Sequence, residues 1–272
     1  MKKHAAARSI ELVKVRPHES PARQTDEVAV EEPLEIRVEG HSVAVVMRTP
    51  GHDRELAAGF ALTEGMVRES KEIFEITSCL TTEASSENVI NIALSDPARF
   101  DATRLSRHIF TSSSCGICGK ATIDAALQQF APIASAPMIE AGTLLRLPDK
   151  LAAAQETFQR TGGLHACALF DAKGELILLR EDVGRHNALD KLIGNELLAG
   201  RLPLGNCILL LSGRVSFEMT QKALAAGIAL IAAISAPTSL AVEFARAHNQ
   251  TLVGFLREGT MNVYAGAERI PR

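Results

Sequence analysis

Two cysteines three positions apart stand in the run Phe110-Thr111-Ser112-Ser113-Ser114-Cys115-Gly116-Ile117-Cys118-Gly119-Lys120. The thiolate is the reactive form of cysteine, and nearby cations or a helix N-terminus raise its population. Lys120 follows Cys118 by two residues, and a helix is expected to begin there and run to Phe130. The serine and glycine flanks leave the sulfurs accessible and predict an exposed loop rather than a strand. A lone C-x-x-C leaves three readings open: a reactive thiol, half of a metal site, or ordinary loop cysteines.

The metal reading is the weaker. A closed zinc site takes four ligands, usually as two pairs, whereas Cys79, Cys167 and Cys207 are isolated in or beside apolar runs and read as small core residues. No two histidines are three to five residues apart. The zinc deaminase signature needs H-x-E and P-C-x-x-C; here no histidine is followed two residues on by Glu, and Ser114 replaces the proline. A P-loop also fails: Gly119-Lys120 is present, but Ser114 and Ala121 occupy the other required positions.

A second polar cluster is Glu181-Asp182-Val183-Gly184-Arg185-His186-Asn187-Ala188-Leu189-Asp190-Lys191, placed where a strand gives way to a helix. Ligands of open α/β sheets bind at strand carboxyl ends, and helix-start amides there favour an anion. Arg185 offers a fork for phosphate; the plainer reading has Asp182 and Asn187 capping the helix with Arg185 and His186 solvated. Ser212-Gly213-Arg214 follows the next strand, and residues 235–239, with Thr238, follow the one after. Gly254-Phe255-Leu256-Arg257 closes the last strand; Phe255 reads equally as core, while Arg257 and Asn262 can reach the same rim. If the sheet is parallel, these loops share one edge and form a polar, phosphate-compatible pocket.

The elements that must position these groups follow from periodicity. Residues 1–32 are polar and are expected to form a loose arm. Residues 34–38 and 43–47 alternate apolar and polar, predicting a hairpin with one buried face. Residues 54–67 repeat near 3.6 and predict a helix capped by Asp53; 73–76 and 89–94 read as strands. After a helix over 149–161, stopped at Gly162-Gly163, strands at 165–170, 175–180, 207–211, 228–234 and 251–256 alternate with helices at 186–199, 217–226 and 239–247. That alternation predicts a largely parallel sheet covered on both faces. The expected organisation is the arm (1–32), an α+β part (33–140) ending in the cysteine loop and its helix, and an α/β domain (141–272).

Composition bounds the rest. The chain has 272 residues, 46% of them apolar, and a net charge of −3, so no global basic field exists to hold nucleic acid. The longest nearly apolar run, residues 223–236, is shorter than the ~20 residues a membrane span needs. The first twenty residues lack the apolar stretch of a secretory signal. Five cysteines, an odd number, do not read as a secreted disulfide framework, so the reducing cytoplasm is expected.

Four motifs in this order, Ser-Ser-Cys-Gly-Ile-Cys-Gly-Lys (113–120), Glu-Asp-Val-Gly-Arg-His-Asn-Ala-Leu-Asp-Lys (181–191), Ser-Gly-Arg (212–214) and Gly-Phe-Leu-Arg (254–257), resemble the FdhD/NarQ family of formate dehydrogenase accessory sulfurtransferases. The likeness covers about residues 33 to 270. It implies a cytidine-deaminase-like three-layer α/β/α domain, a homodimer, and a sulfur carrier. Such a carrier takes persulfide sulfur from a cysteine desulfurase and passes it to the molybdenum of bis-molybdopterin guanine dinucleotide before that cofactor enters formate dehydrogenase. By position it makes Cys115 the persulfide carrier and Cys118 its partner. It puts a cofactor-binding stretch on Phe255, Leu256, Arg257, Glu258, Gly259 and Thr260, beside Arg185, His186, Ser212, Gly213 and Arg214. Glu258 is an odd charge for an anion site. No metal site of the protein's own is implied, and no membrane or nucleic acid is among the expected partners. The rival readings are a thiol–disulfide oxidoreductase, which leaves the rim without a task, and a cofactor-holding chaperone, in which the cysteines are dispensable.

Overall fold

The computed structural model describes residues 5–78, 88–100 and 130–271. The cysteine loop and the helix expected after it therefore lie outside the described residues.

The expected loose arm is instead a hairpin. β1 (Ala7–Lys14) and β2 (Ala22–Ala29) pair antiparallel along their whole length. A two-stranded hairpin is marginal by itself, and this one is tied down at its base. Val30 N donates to Ala6 O, and Arg160 forks onto Glu27 at 2.5 and 2.8 Å. Its side chains are mostly exposed, so it carries no one-sided apolar alternation for a sequence reading to find.

The predicted hairpin over 34–47 forms as β3 (Glu32–Val38) and β4 (His41–Arg48). With β5 (Ile73–Ser78) and β6 (Val89–Leu94) they make a four-stranded sheet in the order β4-β3-β6-β5. Leu34, Ile36 and Val38 alternate inward and are fully buried. Helix α1 (Asp53–Thr63) follows β4. Its cap position is His52, in the left-handed region, and not the expected Asp53. Asp53 is drawn away by Arg48, whose guanidinium forks onto it at 2.9 and 3.0 Å.

The second sheet has six strands: β7 (His165–Phe170), β8 (Leu176–Asp182), β9 (Ile208–Leu211), β10 (Leu230–Ala233), β11 (Thr251–Arg257) and β12 (Thr260–Ala265), in the order β12-β11-β10-β9-β7-β8. Only β9, β10 and β11 pair parallel with one another; β7 and β12 run against their neighbours. The sheet is therefore mixed rather than largely parallel. β12 is absent from the sequence reading because it is a largely exposed edge strand without a buried alternation.

Inward residues alternate strictly across this sheet. Cys167, Leu169, Leu209, Leu211, Ile231, Ala233 and Leu252 join one apolar cluster, while Ala166, Ala168, Phe170, Ile208, Leu210, Leu230, Ala232 and Val253 join the other. The second cluster is closed by Leu144, Leu147 and Leu151, from α2 (Ala141–Leu145) and α3 (Leu147–Ala154). The helix expected over 149–161 breaks at Gln155, and α4 (Glu156–Thr161) completes it, stopping at left-handed Gly162. The first cluster is covered by α5 (Arg185–Leu198), α6 (Phe217–Ala225) and α7 (Ser239–Ala247). Three layers, α/β/α, result as expected.

Helix α1 crosses α5 at very short range. A Cβ on Gly59 would lie 1.9 Å from Asp190 O, and one on Gly194 would lie 1.8 Å from Glu55 O. Only glycine allows this approach, which merges the apolar residues of the four-stranded sheet with those of the six-stranded one in a single cluster.

Candidate functional site

The rim survives the change from a parallel to a mixed sheet. β8 is antiparallel to β7, and β7 is antiparallel to β9, so β8, β9, β10 and β11 all end at the same edge. Each of the first three hands over to a helix at that edge: α5, α6 and α7. Three helix N-termini therefore face one rim, and partial positive charge collects there. α7 is capped by the Thr238 side chain, which accepts from Ala241 N. Neither α5, preceded by Gly184, nor α6, preceded by Ser216, has a side-chain cap.

The 181–191 motif divides into scaffold and site. Asp182 Oδ1 accepts from Gly184 N at 2.8 Å and from Asn187 Nδ2 at 3.0 Å. Its Oδ2 accepts from Thr49 N and pairs with Lys191 at 2.7 Å. Asn187 Nδ2 also donates to Met47 O, and Lys191 Nζ to Thr49 O. These three side chains pin the β8–α5 turn to the end of β4. Asp190 serves elsewhere: it pairs with Lys222 of α6 at 2.8 Å and accepts from Thr63 of α1. Burial, the larger effect, raises the Asp190 carboxyl above its ordinary range against the pull of Lys222.

Arg185 and His186 remain for chemistry. Arg185 Nε is buried and has no hydrogen-bond partner among the described residues, and the same holds for Ser216 Oγ at the start of α6. His186 Nε2 lies 2.7 Å from Glu218 Oε2, linking the first turns of α5 and α6. Arg214 is exposed at the rim. Ser212 is engaged in structure, its Oγ accepting from Ala166 N at 2.9 Å. Gly213 backs onto the ring of His165, which the sequence reading did not single out.

The 255–260 stretch is a strained strand end and a tight turn. Phe255 has φ +50° and Glu258 φ +54°, both in the region that side chains disfavour. Glu258 and Gly259 are the corner residues between Arg257 and its partner Thr260. Positive φ at both corners suits the right-handed twist of a hairpin. Glu258 is exposed at that tip. Thr260 Oγ1 donates to Arg257 O. The Arg257 guanidinium carbon lies 5.7 Å from the centre of the half-buried Phe255 ring. Leu256 does not line the rim: its side chain is fully buried in the second cluster with Val253, because the pairing of β11 with β12 shifts register between Gly254 and Arg257, where Phe255 has positive φ, and the alternation set by Leu252 and Val253 is broken there.

Cys79, Cys115 and Cys118 lie outside the described residues. Cys167 is fully buried, and Cys207 is partly buried against the core, as their apolar surroundings predicted. Burial pushes both thiols up, away from thiolate character. Among the described residues no three His, Cys, Asp or Glu side chains are grouped to hold a metal. No described helix is long and apolar enough to cross a membrane.

Comparison with known proteins settles the lineage. The FdhD/NarQ family pattern matches residues 29–271. The chain belongs to the FdhD/NarQ family. It is 50% identical over 251 residues to the sulfur carrier protein FdhD of Mycobacterium tuberculosis, covering 89% of this chain and 91% of that protein. The protein of the same name from Sulfurisphaera tokodaii is 40% identical over 264 residues, covering 96% and 98%. In structure the chain is similar to a Desulfotalea psychrophila protein provisionally described as a formate dehydrogenase accessory protein. The TM-score is 0.76 at 24% identity, with 98% of this chain and 100% of that one covered. The fold described here is thus the fold of FdhD/NarQ proteins, and the rim is a feature of a member of that family.

Proposed function

We propose that the protein is a sulfur carrier in formate dehydrogenase maturation. Cys115 as thiolate attacks the terminal sulfur of a cysteine desulfurase persulfide. The new S–S bond forms on Cys115 as the old one breaks, and the desulfurase cysteine leaves as thiolate. Cys118 as thiolate then attacks the Cys115 sulfur; a Cys115–Cys118 disulfide forms as the persulfide bond breaks, and the outer sulfur leaves at the sulfide level as a ligand for the molybdenum of bis-molybdopterin guanine dinucleotide, a substrate here. The protein works in the cytoplasm and as a homodimer.

The name shared by relatives up to 50% identical over most of the chain supports the sulfur half of this reading. The observation that carries the cofactor half is Arg185 Nε, buried at the meeting point of helix N-termini without a partner among the described residues. A buried donor of this kind is costly unless a ligand completes it. Phosphates of the guanine dinucleotide fit it, and Arg214 and Arg257 extend the same basic edge. The Phe255 ring offers a planar face for a base. The thiol–disulfide oxidoreductase reading gives this rim no task.

Calorimetric titration with GDP and ADP, as fragments of a dinucleotide, tests the reading. Binding of GDP in preference to ADP is expected. Equal binding of the two, or none of either, would separate the rim from a guanine cofactor.

A further inference from the structure

His165 escapes a search of strand ends because β7 runs against both of its neighbours. Its first residue, not its last, comes to the edge where β8 and β9 finish. His165 is paired with Asp182 across the β7–β8 ladder. On the β9 side, a Cβ on Gly213 would stand 3.2 Å from His165 Nδ1 and 3.4 Å from Cε1. A glycine at 213 thus leaves the half-buried ring its place between the two arginine-bearing loops.

The charged groups that act on this ring come from three segments. Arg185 and His186 stand at the start of α5, Arg214 in the β9–α6 turn, and Asp182 at the end of β8. Asp182 is already committed to Lys191, Thr49, Gly184 and Asn187. The remaining neighbours are basic, and an imidazolium would be a further cation among them.

We propose that His165 contacts the phosphate-bearing ligand of the rim and takes up one proton from solvent as that ligand binds, acting as a positioning residue for it. The inference rests on the rim being the cofactor's phosphate site, and it deepens that reading. In the free protein, burial first and then Arg185, His186 and Arg214 hold the imidazole below its ordinary value, with Asp182 pulling the other way. A diphosphate set among the same cations reverses the field at the ring and favours the charged form. The sign follows: the value with ligand lies above the value without it. Protons are therefore taken up between the two, and affinity rises as pH falls through that interval.

GDP-mannose is the suitable probe, because its diphosphate is a diester and carries no titrating proton near neutrality. Heats of binding are measured at pH about 6.5, near the ordinary histidine value, in two buffers of different ionisation enthalpy. Uptake of up to about one proton per site is expected for the native chain. His165→Gln is expected to bind about 3- to 10-fold more weakly, because the amide keeps a neutral hydrogen bond and loses only the charge, and to take up none. His186→Gln is expected to keep the uptake. Binding without proton exchange in the native chain, uptake persisting in His165→Gln, or uptake lost only in His186→Gln would each overturn the inference while leaving the phosphate site standing. No binding of GDP-mannose by the native chain would remove the phosphate site and the inference together.

Discussion

Lys191 Nζ lies 2.7 Å from Asp182 Oδ2, with both side chains almost wholly shut from solvent. The pair belongs to a motif some of whose members hold the fold while others stand at the rim. Asp182, Asn187 and Lys191 lock the β8–α5 turn onto Thr49 and Met47, and Arg185 and His186 are thereby aimed at the rim. Under the proposed reading, anion binding at this edge depends on residues that never reach the anion.

Removing one partner of a buried pair leaves an uncompensated charge and costs about 3–5 kcal/mol. Lys191→Met is expected to lose about that much in urea unfolding. The double variant Lys191→Met with Asp182→Asn is expected to lose less than the two single changes summed. A loss below about 1 kcal/mol in Lys191→Met would show that the pair does not hold the turn.

The α1–α5 crossing gives a second expectation. Gly59→Ala and Gly194→Ala place a Cβ against backbone carbonyls that cannot rotate away. Each is expected to cost at least about 2 kcal/mol, toward the upper part of the usual range for overpacking. Gly142→Ala in α2 is the control, since its nearest contact is the far end of Arg146 at 3.7 Å. Equal stability of the Gly59 and Gly142 variants would contradict the close crossing.

Much of this architecture is legible in the sequence. The strand over 165–170 and the helix over 239–247 have their predicted bounds, the strand as a short apolar run buried on both faces and the helix through its period. The hairpin over residues 7–29 and the edge strand over 260–265 are not legible, since exposed strands carry no such contrast. The direction of β7 is equally hidden. The four-residue turn from Asp171 to Gly174 is legible, but not that β9 pairs with β7 in the opposite sense. His165 is hidden from the sequence for that reason. The burial of Leu256 is likewise illegible, because nothing in the motif reveals the register shift beside it.

Acid stability follows from Glu55. Burial alone would raise its carboxyl, but hydrogen bonds from His52, Arg180 and Asn195, with the charge of Arg180, bring it down to about 2. A lowered value stabilises the fold above the ordinary carboxylate range, and this contribution is lost as pH falls from about 4.5 toward about 2. The contribution is on the order of 2–3 kcal/mol. Glu55→Gln is expected to flatten the pH dependence of unfolding in that window. An unchanged slope would contradict the role given to the Arg180 pair.

Arg214 and Arg257 are exposed on the rim and outside the buried network. A charge-assisted hydrogen bond to phosphate is worth about 1.5–3 kcal/mol, so losing one weakens binding roughly 10- to 150-fold. Arg214→Ala and Arg257→Ala are expected to weaken GDP binding within that range and to leave the unfolding midpoint nearly unchanged. Full GDP affinity in both variants would contradict the shared rim.

The central claim is that Cys115 carries sulfur. Intact-mass spectrometry after incubation with a cysteine desulfurase and cysteine measures this most directly. One additional sulfur atom per chain, removed by a thiol reductant and mapped to the peptide holding Cys115, is the predicted result, with none gained by Cys115→Ala. Uptake by Cys115→Ala equal to that of the native chain would contradict the account.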